Sequence, residues 1–167
     1  SAAVAIGNAR FIEATQQARD EAEQREREAT QLQEITTQLA SSTDMVGVLD
    51  LINEKAVELL GAEWVNVAKY DEVRGGLVGM REHNFPSQVW DVFFLKPGDG
   101  IVGRAFQERR PVWTREMGAD PALKFSDPAM DRAVRATSLG SSVLSVLIII
   151  RDEVYGTLST FFFEPHD

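Results

Sequence analysis

The sequence has no cysteine, which excludes disulfides, thiolate nucleophiles, cysteine-type zinc sites and thioether-anchored chromophores. Its 2 histidines, His83 and His166, lie far apart. Neither has a zinc-ligand set around it, and no haem or covalent bilin is expected. Long apolar runs are missing as well. The longest, Val146 to Ile150, falls far short of the ~20 residues of a membrane span, so no direct membrane insertion is expected. The N-terminus shows no basic region followed by a cleavage pattern. Positive charge is scarce: 17 basic against 26 acidic side chains leave a net charge of -9. Phosphate contact needs a basic surface, so no nucleic-acid partner is expected. These absences point to a cytoplasmic chain. The 167 residues, 44% of them hydrophobic, suffice for about one domain with a sizeable core.

Catalytic signatures are equally thin. Ser41, Ser42, Ser141 and Ser142 lack a Gly-x-Ser-x-Gly context, and no Ser-His-Asp set is offered. Asp71-Glu72 and Asp152-Glu153 are neighbouring turn carboxylates, whereas hydrolysis needs carboxylates facing across a cleft. Gly98-Asp-Gly-Ile-Val-Gly103 matches G-x-G-x-x-G. However, Pro97 precedes it, the upstream segment looks helical and no parallel βαβ unit follows, so its glycines are expected to set backbone angles rather than cradle a pyrophosphate. No enzyme activity is expected of this chain.

Glycine and proline are absent from Asn8 to Met45, a stretch rich in Ala, Glu, Gln and Arg. A four-three spacing runs through Val4, Asn8, Phe11, Thr15, Ala18, Ala22, Arg25, Ala29, Leu32, Thr36 and Leu39, the seam of a heptad repeat. One reading is a long surface helix packed on its own domain. The other is a coiled coil about 60 Å long, preferred because nothing globular of that length is at hand to pack against. It predicts a parallel homodimer through Phe11, Ala18, Ala22, Ala29, Leu32 and Leu39, weakened by the polar seam positions.

Ser41-Ser-Thr-Asp44 is a cluster of helix-capping residues, so residues 1–40 are expected to form a linker helix and 41–167 the compact domain. An amphipathic helix follows from Met45 to Leu60, ended by Gly61. Alternation predicts a hairpin of Trp64–Tyr70 and Leu77–His83. Helices are expected over Ser87–Phe94, Ile101–Glu108 and Pro128–Ala136, with a short strand at Val112–Thr114 between the last two. Ser142–Ile150 reads as a central strand buried on both faces, and Tyr155–Phe163 as its partner. The order gives an α/β (α+β) domain with an antiparallel sheet.

A pocket is sought in the long connection from Pro86 to Gly140. Its candidate residues are Trp113, Phe125 and Met130 as walls, with Arg132 and Arg135, at i and i+3, as a clamp for a small planar or anionic molecule. The alternative for the arginines is an exposed face paired with Asp131 or Asp127.

Several stretches resemble the GAF domain family. They are Asp44-Met-Val-Gly-Val-Leu-Asp-Leu-Ile52, Lys96-Pro-Gly-Asp-Gly-Ile-Val-Gly-Arg-Ala-Phe106 before Arg110-Pro-Val-Trp113, and Ser141-Ser-Val-Leu-Ser-Val-Leu-Ile148 followed by Val154-Tyr-Gly-Thr-Leu158. The resemblance covers about residues 41–167. Ala3-Val-Ala-Ile-Gly-Asn-Ala-Arg10 looks like the closing helix of a preceding module of the same family, and the chain stops where the family continues into a final helix. It therefore implies a piece of a tandem-GAF sensor. Such modules sit upstream of histidine kinases, cyclases, diguanylate enzymes or transcription activators. The expected role is a cytoplasmic sensory input domain that binds a small molecule and relays the signal through dimeric helices. The alternative is a ligand-free dimerisation and relay module, which a filled core would favour. The family's cyclic-nucleotide pattern is not found, and its methionine sulfoxide reductases need cysteines that this chain lacks.

Overall fold

The computed structural model describes residues 2–39, 45–121, 123–137 and 142–163. The calls on Ser41 to Asp44, Ser141 and His166 lie outside them, as does the side chain of Leu39. Helix α1 (Ala2–Leu39) is followed by α2 (Met45–Leu60), β1 (Trp64–Asp71), β2 (Gly76–His83), α3 (Ser87–Trp90), β3 (Phe94–Leu95), α4 (Gly100–Glu108) and β4 (Val112–Thr114). A 3-10 turn (Met117–Ala119), α5 (Pro128–Ala136), β5 (Ser142–Ile150) and β6 (Glu153–Phe162) complete the order. The six strands form one antiparallel sheet in the order β3-β2-β1-β6-β5-β4. Among the described residues, no helix is long and apolar enough to cross a membrane.

Period-two alternation divides the sheet between two cores. Val65 and Val67 of β1, Leu144, Val146 and Ile148 of β5 and Leu158 of β6 face α1 and α2 on the outer side. Ala68, Val143 and Phe161 face α3, α4 and α5 on the inner side. Each sheet face thus buries its apolar row against helices, giving a three-layer molecule.

Two expectations are corrected here. Ser142–Ile150 is buried as foreseen, but the centre of the sheet is β1 and β6. β4 pairs only with Val143 to Ser145, so β5 is an outer strand beyond that point. The helix expected over Ser87–Phe94 ends at Trp90. The next amides bond three residues back, Val92 N to Val89 O at 3.2 Å and Phe93 N to Trp90 O at 3.1 Å. Phe94 and Leu95 then pair with Val78 and Leu77, because the Phe94 ring fits against Gly76, where a Cβ would stand 2.6 Å from it.

Helix α1 resolves the two readings of its seam by thirds. Arg25, Glu28, Ala29, Leu32 and Thr36 recur at helical spacing and are all buried. They lie against β5 and α2. Arg25 Nη1 and Glu28 Oε2 form a buried ion pair at 3.1 Å, and the Arg25 guanidinium lies 5.9 Å from the Trp113 ring centroid. Ala29 and Leu32, expected in a dimer seam, belong instead to the domain's own core, since the sheet and the apolar face of α2 offer them apolar surface here. The seam residues Phe11, Ala18 and Ala22 are exposed.

Candidate functional site

The glycine-rich segment builds the inner site. Gly98 and Gly100 take positive φ of 93° and 60°, a region open chiefly to glycine. Gly103 packs so closely on the loop that a Cβ would stand 2.6 Å from the Lys96 carbonyl oxygen. The motif is therefore a backbone device, as its context suggested.

Asp99 does not cap α4 with its side chain. Its buried carboxylate instead accepts from Lys96 N at 3.1 Å, Ser126 N at 3.0 Å and Ser126 Oγ at 2.7 Å. Gly100 N donates to Lys124 O at 2.8 Å. These bonds tie the segment before α5 down over the inner face of the sheet. Arg104 Nη1 adds a 3.0 Å pair with Asp120 Oδ2 at the rim of the same cover.

Under this cover lies a cavity of about 20 Å³ walled by apolar side chains from Phe85, Phe93, Met117, Phe125, Met130, Val143 and Phe161, among others. It holds about one water by volume but offers that water no polar partner. Aromatic rings fill most of the space: Phe85 stands edge-on to Trp90 and Phe161, with centroids 5.9 and 5.3 Å apart.

Of the residues expected to form the pocket, Phe125 and Met130 are brought together. The other three are elsewhere. Trp113 follows the inward Val112 on β4 and so faces the outer side, under Arg25. Arg132 is exposed. Arg135 is exposed too, and its Nε donates to Asp131 Oδ1 at 2.9 Å, the pairing that was the alternative to a clamp.

A group not singled out from the sequence lies on the same inner face. Asn66, Ser145, Thr157 and Ser159 are fully buried. Asn66 stands opposite Ser159, and Ser159 opposite Ser145. Their signal in the sequence is small: single polar residues at alternate positions of otherwise apolar strands. Tyr155, whose phenol is pushed above its usual value by burial and partly restored by the Arg81 charge, packs with the outer core and takes no part in this site.

Several solved structures share the fold. The GAF domain of a phosphoenolpyruvate-protein phosphotransferase from Coxiella burnetii is 24% identical, with a TM-score of 0.60 over 81% of this chain and 77% of that one. The free methionine-R-sulfoxide reductase of Neisseria meningitidis, solved with its substrate, is 20% identical, with a TM-score of 0.60 over 80% of this chain and 72% of that one. A GAF domain/HD domain protein from Geobacter sulfurreducens is 20% identical, with a TM-score of 0.54 over 71% and 74%. No curated protein sequence matches the chain. Residues 42–167 match the family model described as GAF domain, and with the six-stranded sheet and its helices in place the chain belongs to the GAF domain family.

Proposed function

We propose that the chain is a regulatory input module of a signal-transduction protein, without catalysis of its own, which relays changes in its sheet to helix α1. One observation carries the reading. Beyond β4, the outer edge of β5 is held by α1 side chains: Leu147 N donates to Gln33 Oε1 at 3.2 Å, and Thr36 Oγ lies 3.2 Å from Leu147 O. Thr36 Oγ also lies 2.8 Å from Gln33 O and accepts from Gln33 Nε2 at 3.3 Å, so its single proton is shared between two carbonyls. A shift of β5 therefore moves the helix. The relay needs two sheet arrangements of differing free energy, each favouring its own helix position.

Hydrogen exchange tests this clasp. In a Gln33→Ala/Thr36→Val variant, loss of two bonds worth about 1 kcal/mol each should speed exchange of the amides of residues 25–36 by roughly thirtyfold. Unchanged exchange there would remove the coupling.

The nearly filled inner face favours relay without a resident ligand over a pocket that is always occupied. Phe11, Ala18 and Ala22 are left for a second copy, as a weak parallel homodimer. Light scattering over a concentration series should show dimer at the upper end and monomer after Phe11→Glu; monomer throughout would refute it. A tandem-GAF context, with an output domain such as a histidine kinase, fits the same helix, which leads out of the domain. No bilin or haem is required, and a cytoplasmic setting suits a relay of this kind.

A further inference from the structure

We propose that Arg109, with Arg110 beside it, is a docking point for a carboxylate carried by an acidic segment of a partner protein. Arg109 ends helix α4 with φ 57° and ψ 38°, in the left-handed region. Helix ends favour glycine there, because any other residue gives up backbone free energy. The other non-glycine residues with positive φ among the described residues have reasons for it. Asn84 is of a type that tolerates the region, and Arg151 and Asp152 lie between β5 and β6, where a two-residue hairpin turn requires it. Arg109 has only its side chain to explain it. The guanidinium carbon lies 4.6 Å from the ring centroid of Phe106, and the buried Phe106 ring is stacked on Tyr70 at 4.6 Å with 19° between the planes. An exposed stack of this kind returns about what the backbone gives up, so stability alone does not favour arginine over glycine here.

The stack orients the guanidinium, and the side chain is otherwise exposed. Among the described residues Arg109 makes no ion pair and no hydrogen bond. A planar fork held still with its donors free is ready for bidentate contact with a carboxylate. From Arg104 to Arg115 the sequence sets Arg104, Arg109, Arg110 and Arg115 against one acid, Glu108, in a chain of net charge -9. Arg104 and Arg115 are engaged by Asp120 and Glu21. Arg110 holds Glu108 at 3.2 Å, but both side chains are well exposed and such a pair is weak. A singly charged carboxylate suits the place better than a phosphate dianion, because the C-terminus of α4 and the net charge of the chain both repel negative charge. One such contact in water is too weak to hold a free carboxylate, so the anion must be tethered to a larger surface that Arg109 helps to position. This docking point goes beyond the relay through β5 and α1 and stands or falls separately from it.

A tetraglutamate peptide blocked at both ends is the probe, with inorganic phosphate as the comparison. At millimolar concentration the peptide should shift the side-chain Nε–H resonance of Arg109, and its affinity should fall severalfold when salt is raised from about 50 to about 300 mM. Arg109→Gly should melt no lower than the wild type and weaken the peptide about fivefold or more. Arg109→Lys keeps the charge without the fork and should lose nearly as much. Arg132→Ala removes an exposed arginine elsewhere and should leave peptide affinity unchanged. A clearly lower melting temperature for Arg109→Gly would make the stack a packing device and overturn the proposal. Full binding by Arg109→Lys, equal losses on removing Arg109 and Arg132, tighter binding of phosphate than of the peptide, or no binding of the peptide at all would overturn it as well. The exchange experiment on Gln33 and Thr36 decides the relay in every case.

Discussion

Gly156→Ala should cost roughly 3 kcal/mol or more, the upper end of overpacking penalties. Gly156 sits on β6 between β1 and β5, opposite Lys69 and Ile148. A Cβ there would overlap the carbonyl oxygen of Ala68 and stand 2.8 Å from its carbon and 2.9 Å from Lys69 Cα. All three are backbone atoms of the central pair of strands, so no side chain can swing aside. The register irregularity between Ile148 and Ile149, with Tyr155 as the extra residue, lies beside it on the β5 side. The melting temperature should fall by about 10 °C, at about 2–4 °C per kcal/mol for a chain of this size. Gly118→Ala is the matched control, since a Cβ there meets nothing within 4 Å. It should change stability by no more than about 0.5 kcal/mol. Equal losses in both would show that the close approach of β6 to β1 does not exist in solution.

The second large effect is expected at Arg25. Replacing it with Met leaves the Glu28 carboxylate, buried to within 6% of its side-chain surface, without its 3.1 Å partner. Removing one member of a buried pair typically costs about 3–5 kcal/mol, because the remaining charge has lost its water as well as its counterion. Glu28 retains a 3.2 Å bond from Gln24 Nε2, which places the expectation at the lower end. The double variant Arg25→Met/Glu28→Leu should recover most of the loss, since an apolar pair of similar volume often matches a buried ion pair. Urea unfolding of the three proteins measures this. A loss under about 1 kcal/mol in the single variant would mean that the last third of α1 does not dock on β5 and Trp113.

Much of this architecture could be read from residue order. The hairpin from Trp64 to His83, helix α2, helix α5 behind Pro128 and the final strand pair all stand where spacing put them, because each carries a strong period and a turn or capping signal of its own. The errors arose where local pattern and tertiary environment disagree. Val89, Trp90, Phe93 and Phe94 keep helical spacing, yet the chain turns out of the helix to give β2 an edge partner. The four-three spacing puts Ala29 and Leu32 on one face of α1, but they serve equally well as knobs toward a second helix or as anchors on a sheet, and sequence spacing does not distinguish the two. The site was the least legible part. Phe125 and Met130 could be found because large apolar residues in a long connection must cover something. Trp113 could not be assigned to a face, since its strand is only 3 residues long. Asn66 and Thr157 carry no motif, and their isolation becomes visible only when the neighbouring strands are known.

The hold of α1 on β5 also separates the evolutionary unit from the folding unit. The family match begins at residue 42, whereas the outer core takes in Ala29 and Leu32. A chain cut at the family boundary would leave the edge of Val146 to Ile150, one of the most apolar strands in the protein, with unpaired amides and carbonyls and no charged or proline gatekeeper before Arg151. Bare edges of that composition add strands from other molecules and lead to aggregation. Residues 25–36 thus act as a built-in solubility guard, and the helix proposed as the relay is the same piece of chain that keeps its sheet from extending into a fibre.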